Sequence, residues 1–283
     1  MNRTKKAIGL LVCAVMITTA FSGCSTSLTE NEIDTALSTA IGNSLGSDLY
    51  YWKETDNRTE TSLYKQVNVL SDIDSKEYVP LVDENGEYTT LRIQAIEREN
   101  GVDAYQSICG ESQGVNDGDE PQNYLFETVT NEDSSTVQTK TPMTAKEYFN
   151  SEQFQKYSVQ AKLACLDGLT VDDMDFSVDG SEISEKGHVI QLQFKVKDEF
   201  LNRYEEQHGA PSLFAGSKRV LIEIAYEKIS QIVVYVDETI AGTSMTVETE
   251  AYNFQIVYLG PTFTVPRYNE IDSSTGEPVW KDA

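Results

Sequence analysis

The chain has 283 residues and sets 46 Asp and Glu against 22 Lys and Arg, a formal net charge of −24. That balance excludes nucleic acid, whose phosphates demand a basic face, and excludes charge-driven adhesion to anionic lipid or polymer. Hydrophobic residues at 39%, with 10% aromatic, are enough for a packed core, so the acidity reads as solubility rather than disorder, and repulsion between copies favours a monomer.

Arg3, Lys5 and Lys6 precede an apolar run over 7–20, which leads into Phe21, Ser22, Gly23 and Cys24. This is the order of a secretory signal peptide. A spanning helix needs ~20 apolar residues, and Thr18 and Thr19 break this run. A plain secretory signal would favour a small-x-small cleavage site, which Phe21-Ser22-Gly23 meets poorly. Small residues leading into a cysteine resemble the lipobox at which bacterial lipoproteins are acylated and cut. That resemblance implies a signal over 1–23, lipid attachment at Cys24, and a protein held on the outer, extracytoplasmic face of the cell membrane. Cys13 leaves with the signal, so Cys109 and Cys165 are the pair available for a disulfide. Two buried free thiols are the other state this composition allows.

Thr29 followed by Glu32 forms a capping box, and Ile33, Ala36, Leu37, Ala40, Ile41 and Leu45 recur at helical spacing up to Gly46. A first helix is therefore predicted over 30–45, with 24–48 as anchor and helix. Short β-type runs follow at 49–53, 63–70, 88–97, 102–108 and 124–129. They are separated by Asp83-Glu84-Asn85-Gly86, Asn100-Gly101 and Asn116-Asp117-Gly118-Asp119. A second helical region opens at Thr144, boxed to Glu147, and its phase slips at Asn150-Ser151, which predicts two consecutive helices within 144–167.

The clearest alternation is Ile190, Leu192, Phe194 and Val196 against Gln191, Gln193, Lys195 and Lys197, a strand with one wet and one apolar face. A helix over 198–208 follows, stopping at Gly209 before Pro211. Further strands are predicted at 220–227, 229–236, 244–252 and 254–258, with a last extended piece at 262–265 and a polar tail over 268–283.

The pair of strands that begins at Ile229-Ser230-Gln231-Ile232-Val233-Val234-Tyr235-Val236-Asp237, runs on to Tyr252-Asn253-Phe254-Gln255-Ile256 and closes on Val265-Pro266 resembles the ending of the lipoprotein-carrier superfamily, the LolA-like half-barrels. The resemblance implies one domain over 49–267, of class α+β: a large curved antiparallel sheet, or half-barrel, with helices packed on its concave face. It also implies an apolar concavity for an acyl chain or similar ligand. Leu192, Phe194, Ile222, Ile224, Tyr226, Tyr252, Phe254 and Ile256 are the candidate lining; the same alternation also describes ordinary core.

No catalytic constellation stands out. His188 and His208 are the only histidines, and no nucleophile elbow or cysteine-protease signature surrounds Ser181, Ser184, Cys109 or Cys165. Asp175, Ser177, Asp179 and Gly180 follow the opening of a calcium loop, but Lys186 stands where that loop needs an acid, and a β-turn at 178–181 accounts for the residues better. No cofactor or metal is implied. Two readings follow. In the first the protein is a tethered, non-catalytic binder or carrier of a hydrophobic, lipid-like ligand. In the second it is a surface module that binds another envelope protein or polymer, its sheet face only a structural core.

Overall fold

The computed structural model describes residues 28–47, 50–58, 62–70, 92–112, 122–240, 243–258, 268–271 and 278–280. Cys24, the apolar run before it, the turn-type sequences at Asp83-Glu84-Asn85-Gly86 and Asn116-Asp117-Gly118-Asp119, and the closing Val265 and Pro266 lie outside these residues. Among the described residues no helix is long and apolar enough to cross a membrane.

Helix α1 (Glu30–Leu45) begins at the predicted capping box: the Glu32 carboxylate accepts the Thr29 N–H at 2.7 Å, and the Thr29 hydroxyl accepts the Glu32 N–H. Six strands follow: β1 (Tyr50–Asp56), β2 (Leu63–Leu70), β3 (Arg92–Glu99), β4 (Val102–Ser112), β5 (Gln122–Thr130) and β6 (Thr136–Pro142). The chain then turns through α2 (Ala145–Phe149), α3 (Glu152–Gln155), α4 (Val159–Leu163) and a 3₁₀ turn at Ala164–Leu166. After β7 (Met174–Asp175), β8 (Glu182–Lys186) and β9 (Val189–Val196) comes α5 (Asp198–His208), which ends on Gly209 at φ +69°. The series closes with β10 (Arg219–Ala225), β11 (Lys228–Thr239) and β12 (Thr246–Tyr258). A separate antiparallel pair, β13 (Tyr268–Ile271) and β14 (Pro278–Trp280), occupies part of the stretch read as a polar tail.

The α+β expectation, a half-barrel with helices on its concave face, is corrected. The molecule is mostly antiparallel sheet: β1 to β12 form one twelve-stranded open sheet, ordered β6-β5-β4-β3-β2-β1-β12-β11-β10-β9, with β7 and β8 both bonded to the far side of β9. Helices are few, and among the described residues only α1 and α5 exceed five residues. The reason is local. In the region read as two helices, the Ser151 and Ser158 hydroxyls each accept the N–H three residues on, so the chain restarts a helix every seven residues and never extends a helical layer. The missed strand β6 is exposed along its whole length, with Val137 and Pro142 its only apolar residues, and so carries no alternation to betray it.

Register aligns one row of side chains across ten strands: Leu192, Ile222, Ile232, Phe254, Glu54, Lys65, Glu97, Tyr105, Val129 and Val137. The row changes character as it goes. Its first four members are buried apolar core, its middle members are charged or phenolic, and Val129 and Val137 are exposed. α1 lies on the core side, with Ile33, Leu37 and Ala40 in the same apolar cluster as Trp52, Ile222 and Phe254. The two strands predicted at 244–252 and 254–258 are one: Val234 faces Tyr252 while Tyr235 faces Glu250, so Ala251 is the extra residue of a β-bulge within β12.

Candidate functional site: an apolar groove beside the first helix

The strands bring seven of the eight candidate lining residues onto the core face. Leu192, Phe194, Ile222, Ile224, Phe254 and Ile256 are at most 2% exposed and Tyr252 is 5% exposed, with the Trp52 ring 5.8 Å from Phe254 and Phe176 5.7 Å from Phe194. Tyr226 does not belong with them. Tyr226 and Glu227 are the two central residues of the β10–β11 hairpin, both at positive φ as a type I′ turn requires, which puts Tyr226 at the tip, 48% exposed and stacked on His188.

One groove lined by described residues, of about 560 Å³, includes none of those eight. α1 contributes Leu37, Ser38, Ile41, Gly42 and Leu45, and the chain from α4 onward contributes Gln160, Leu163, Ala164, Leu166, Asp167, Gly168 and Leu169. The helix can serve two partners because its apolar stripe is wide. Ile33, Ala40 and Ser44 are buried against the body, Leu37 is buried and also lines the groove, and Ile41 and Leu45 lie beside it on the groove side. Gly42 keeps the wall low, since a Cβ built there would meet nothing within 4 Å. On the facing wall, Gly168, at φ +70°, turns the chain between the 3₁₀ turn and Val171, whose N–H donates to the Asp34 carboxylate of α1 at 2.7 Å. Two sequence signals pointed here, the surplus width of the α1 stripe and a glycine inside a helix. The facing residues lay hidden in the segment read as longer helices.

Polar contacts hold that wall in place. Lys162 Nζ sits 2.9 Å from the Glu54 carboxylate and 4.9 Å above the Trp52 ring, and the Tyr252 hydroxyl donates to the same carboxylate at 3.1 Å. Burial, then the Glu54 charge, pushes the Tyr252 phenol well above its ordinary value. Trp52 Nε1 donates to the Tyr157 carbonyl at 3.0 Å, and the Tyr157 hydroxyl donates to Glu97. Burial pushes the Glu97 carboxyl up, but the Tyr157 hydrogen bond and the charges of Lys65 and Lys156 outweigh it and hold the group low. Asp167 at the groove mouth meets His208 Nε2 at 3.3 Å and Gln207 at 3.2 Å. The Ser38 hydroxyl donates to the Thr35 carbonyl, so it serves as a helix-surface group.

Cys109 and Cys165 are not bridged. Each is a buried free thiol donating to a backbone carbonyl, Met143 and Lys162 respectively, and burial pushes both up to about 12. Cys109 lies on β4 between Ile93 and Leu125, and Cys165 in the 3₁₀ turn. The Asp175 segment is a turn: Asp175 accepts from the Ser177 N–H and hydroxyl, and the Ser181 N–H closes on the Val178 carbonyl at 3.0 Å.

No protein-family model matches the chain, and no curated protein does. Among solved structures it is similar to a porin-like protein from Bacteroides uniformis ATCC 8492, with 9% identity over 76% of this chain and 97% of that one and a TM-score of 0.17.

Proposed function

We propose that the protein is a lipid-anchored, extracytoplasmic binder of a hydrophobic ligand, without catalysis, and that the ligand lies between α1 and the α4 turn. The observation that carries this reading is the groove itself. Its volume falls in the range of small-molecule sites, and Leu37, Ile41, Leu163, Leu166 and Leu169 give it apolar walls with three polar side chains, Ser38, Gln160 and Asp167. The lipobox-like start supports the location, since Cys24 stands six positions before Glu30 and so keeps α1, one wall of the groove, close to the anchor. The core face of the sheet, by contrast, is filled by its own side chains and by α1.

The test is saturable binding of a neutral, environment-sensitive naphthylamine probe to the chain begun after Cys24, together with mass spectrometry of solvent extracts. One equivalent of probe and a co-purifying acyl compound are expected. Gly42→Phe, which fills the groove from an open position, should weaken probe binding at least about tenfold, a loss of ~1.4 kcal/mol. Absence of saturable binding together with lipid-free extracts would overturn the reading.

A further inference from the structure

The two ends of the sheet are treated differently. At one end β9 is covered by two short strands, β7 and β8, which leave little open edge. At the other, β6 pairs with β5 alone among the described residues, and all seven of its residues are exposed. Its register with β5 is unbroken from Thr136 to Pro142, so no bulge twists the edge away. Among the described residues, five of the nine large exposed hydrophobic side chains, Val102, Ile108, Phe126, Val129 and Val137, lie on β4 to β6, with Ile108 and Phe126 on one face and Val129 and Val137 on the other.

We propose that β6 is the seat of a homodimer in which two copies pair their β6 strands antiparallel, Thr139 facing its own counterpart on the two-fold axis. A contact between identical edges closes on itself only as a two-fold, which for strands means antiparallel pairing. Centring on Thr139 uses the full length of the strand. It sets Val137 opposite Thr141, Gln138 opposite Lys140 and Thr136 opposite Pro142, so β-branched residues meet and no like charges oppose. Centring on Lys140 would place two ammonium groups face to face.

Charge permits a second copy at this place. In a chain of net charge −24, β6 holds no acid and one lysine, so the two paired strands bring no carboxylates together. The axis of such a pair runs perpendicular to the sheet. It therefore leaves α1 of both copies on the same side, as two chains anchored to one membrane require. The inference does not depend on the groove being a binding site.

The experiment is disulfide trapping in the full-length chain, with Thr139→Cys, Val137→Cys and the parent chain oxidised side by side and read on non-reducing gels. Thr139→Cys should link to a species of twice the mass at least about tenfold faster than Val137→Cys, whose own counterpart lies four positions away along the pair. The β-ladder spacing across a strand pair is within disulfide reach, and that offset is not. Adding Val137→Lys and Thr141→Lys to the Thr139→Cys chain should abolish the link by putting charge on the edge. Equal linking by the Thr139→Cys and Val137→Cys variants, linking that survives the two lysines, or no linking above the parent chain would each overturn the proposal.

Discussion

The backbone N–H of Ile229 donates to the Ser44 hydroxyl at 3.0 Å, and that hydroxyl in turn donates to the Ala40 carbonyl at 2.7 Å. One fully buried serine thus joins the last turn of α1 to the start of β11. Asn43, donating to the Glu227 carbonyl, and Lys228, donating to Ser47, flank it. Ser44→Ala leaves the Ile229 N–H buried without its acceptor, a cost of ~1–3 kcal/mol. The urea midpoint should fall by that loss divided by the denaturant slope, with the slope itself unchanged. An unchanged midpoint would show that α1 is not held through this contact.

Gly42 sits inside α1 with open space where a Cβ would go. Glycine in a helix interior costs ~1 kcal/mol relative to alanine. Gly42→Ala should therefore raise the melting temperature by ~2–4 °C for a chain of this size, and probe binding should survive, since one methyl at the groove wall leaves most of its volume. A lowered melting temperature would mean that the glycine is needed for the conformation of α1 itself.

Local signals were legible where they were periodic or chemically paired. α1 starts and ends at the predicted residues because Thr29 and Glu32 satisfy each other's backbone and because the stripe from Ile33 to Leu45 has one period. β2 likewise matches its apolar run, and β9 is shifted from its alternation by one residue at each end. What sequence could not show was assembly. Alternation in β9, β10 and β12 predicts that Leu192, Ile222 and Phe254 face one side, but not that α1 and Trp52 fill the space above them. Tyr226 fitted the strand pattern until the I′ turn claimed it. β6, exposed along its whole length, owes its place to pairing with β5 rather than to a pattern of its own.

The two cysteines of the described body should behave as inert thiols. Burial raises both to about 12, so at neutral pH neither supplies thiolate. Native protein should incorporate no iodoacetamide at Cys109 or Cys165 over a time in which denatured protein is labelled at both. Reductant should leave the melting temperature unmoved, because no bridge exists to cut. A reductant-dependent melting temperature would contradict the free-thiol arrangement.

Asp173 links stability to pH. Its carboxylate accepts from Arg203 at 2.9 Å and from the Thr170 N–H and hydroxyl at 3.0 and 2.9 Å. Burial raises its pKa, but Arg203 and Thr170 outweigh burial and hold it below the ordinary 3.8. A carboxyl lowered on folding contributes stability that is fully present above its unfolded value and is lost as pH falls through its folded value. The gap in melting temperature between the parent chain and Asp173→Asn should hence be constant from about pH 7 to 5 and close below about pH 4. A gap that persists undiminished to about pH 2 would show that the carboxylate's charge is not what stabilises the Thr170 turn.

The Glu54–Lys162 pair carries the facing wall of the groove, and both side chains are nearly buried, at 11% and 13% exposure. Removing one member of such a pair strands the other in a poorly solvated place, which costs ~3 kcal/mol, whereas replacing both with neutral groups of similar size costs far less. Lys162→Met should thus destabilise more than the double change Glu54→Gln with Lys162→Met, giving a coupling of at least about 1 kcal/mol in a double-mutant cycle. Tyr252→Phe, removing only the second partner of Glu54, should cost ~1 kcal/mol. Because Lys162 adjoins Leu163 on α4, the same single variant should loosen the groove and weaken probe binding, and the double variant should restore it in part. Additive effects of Glu54→Gln and Lys162→Met would mean that the wall stands on its apolar contacts alone.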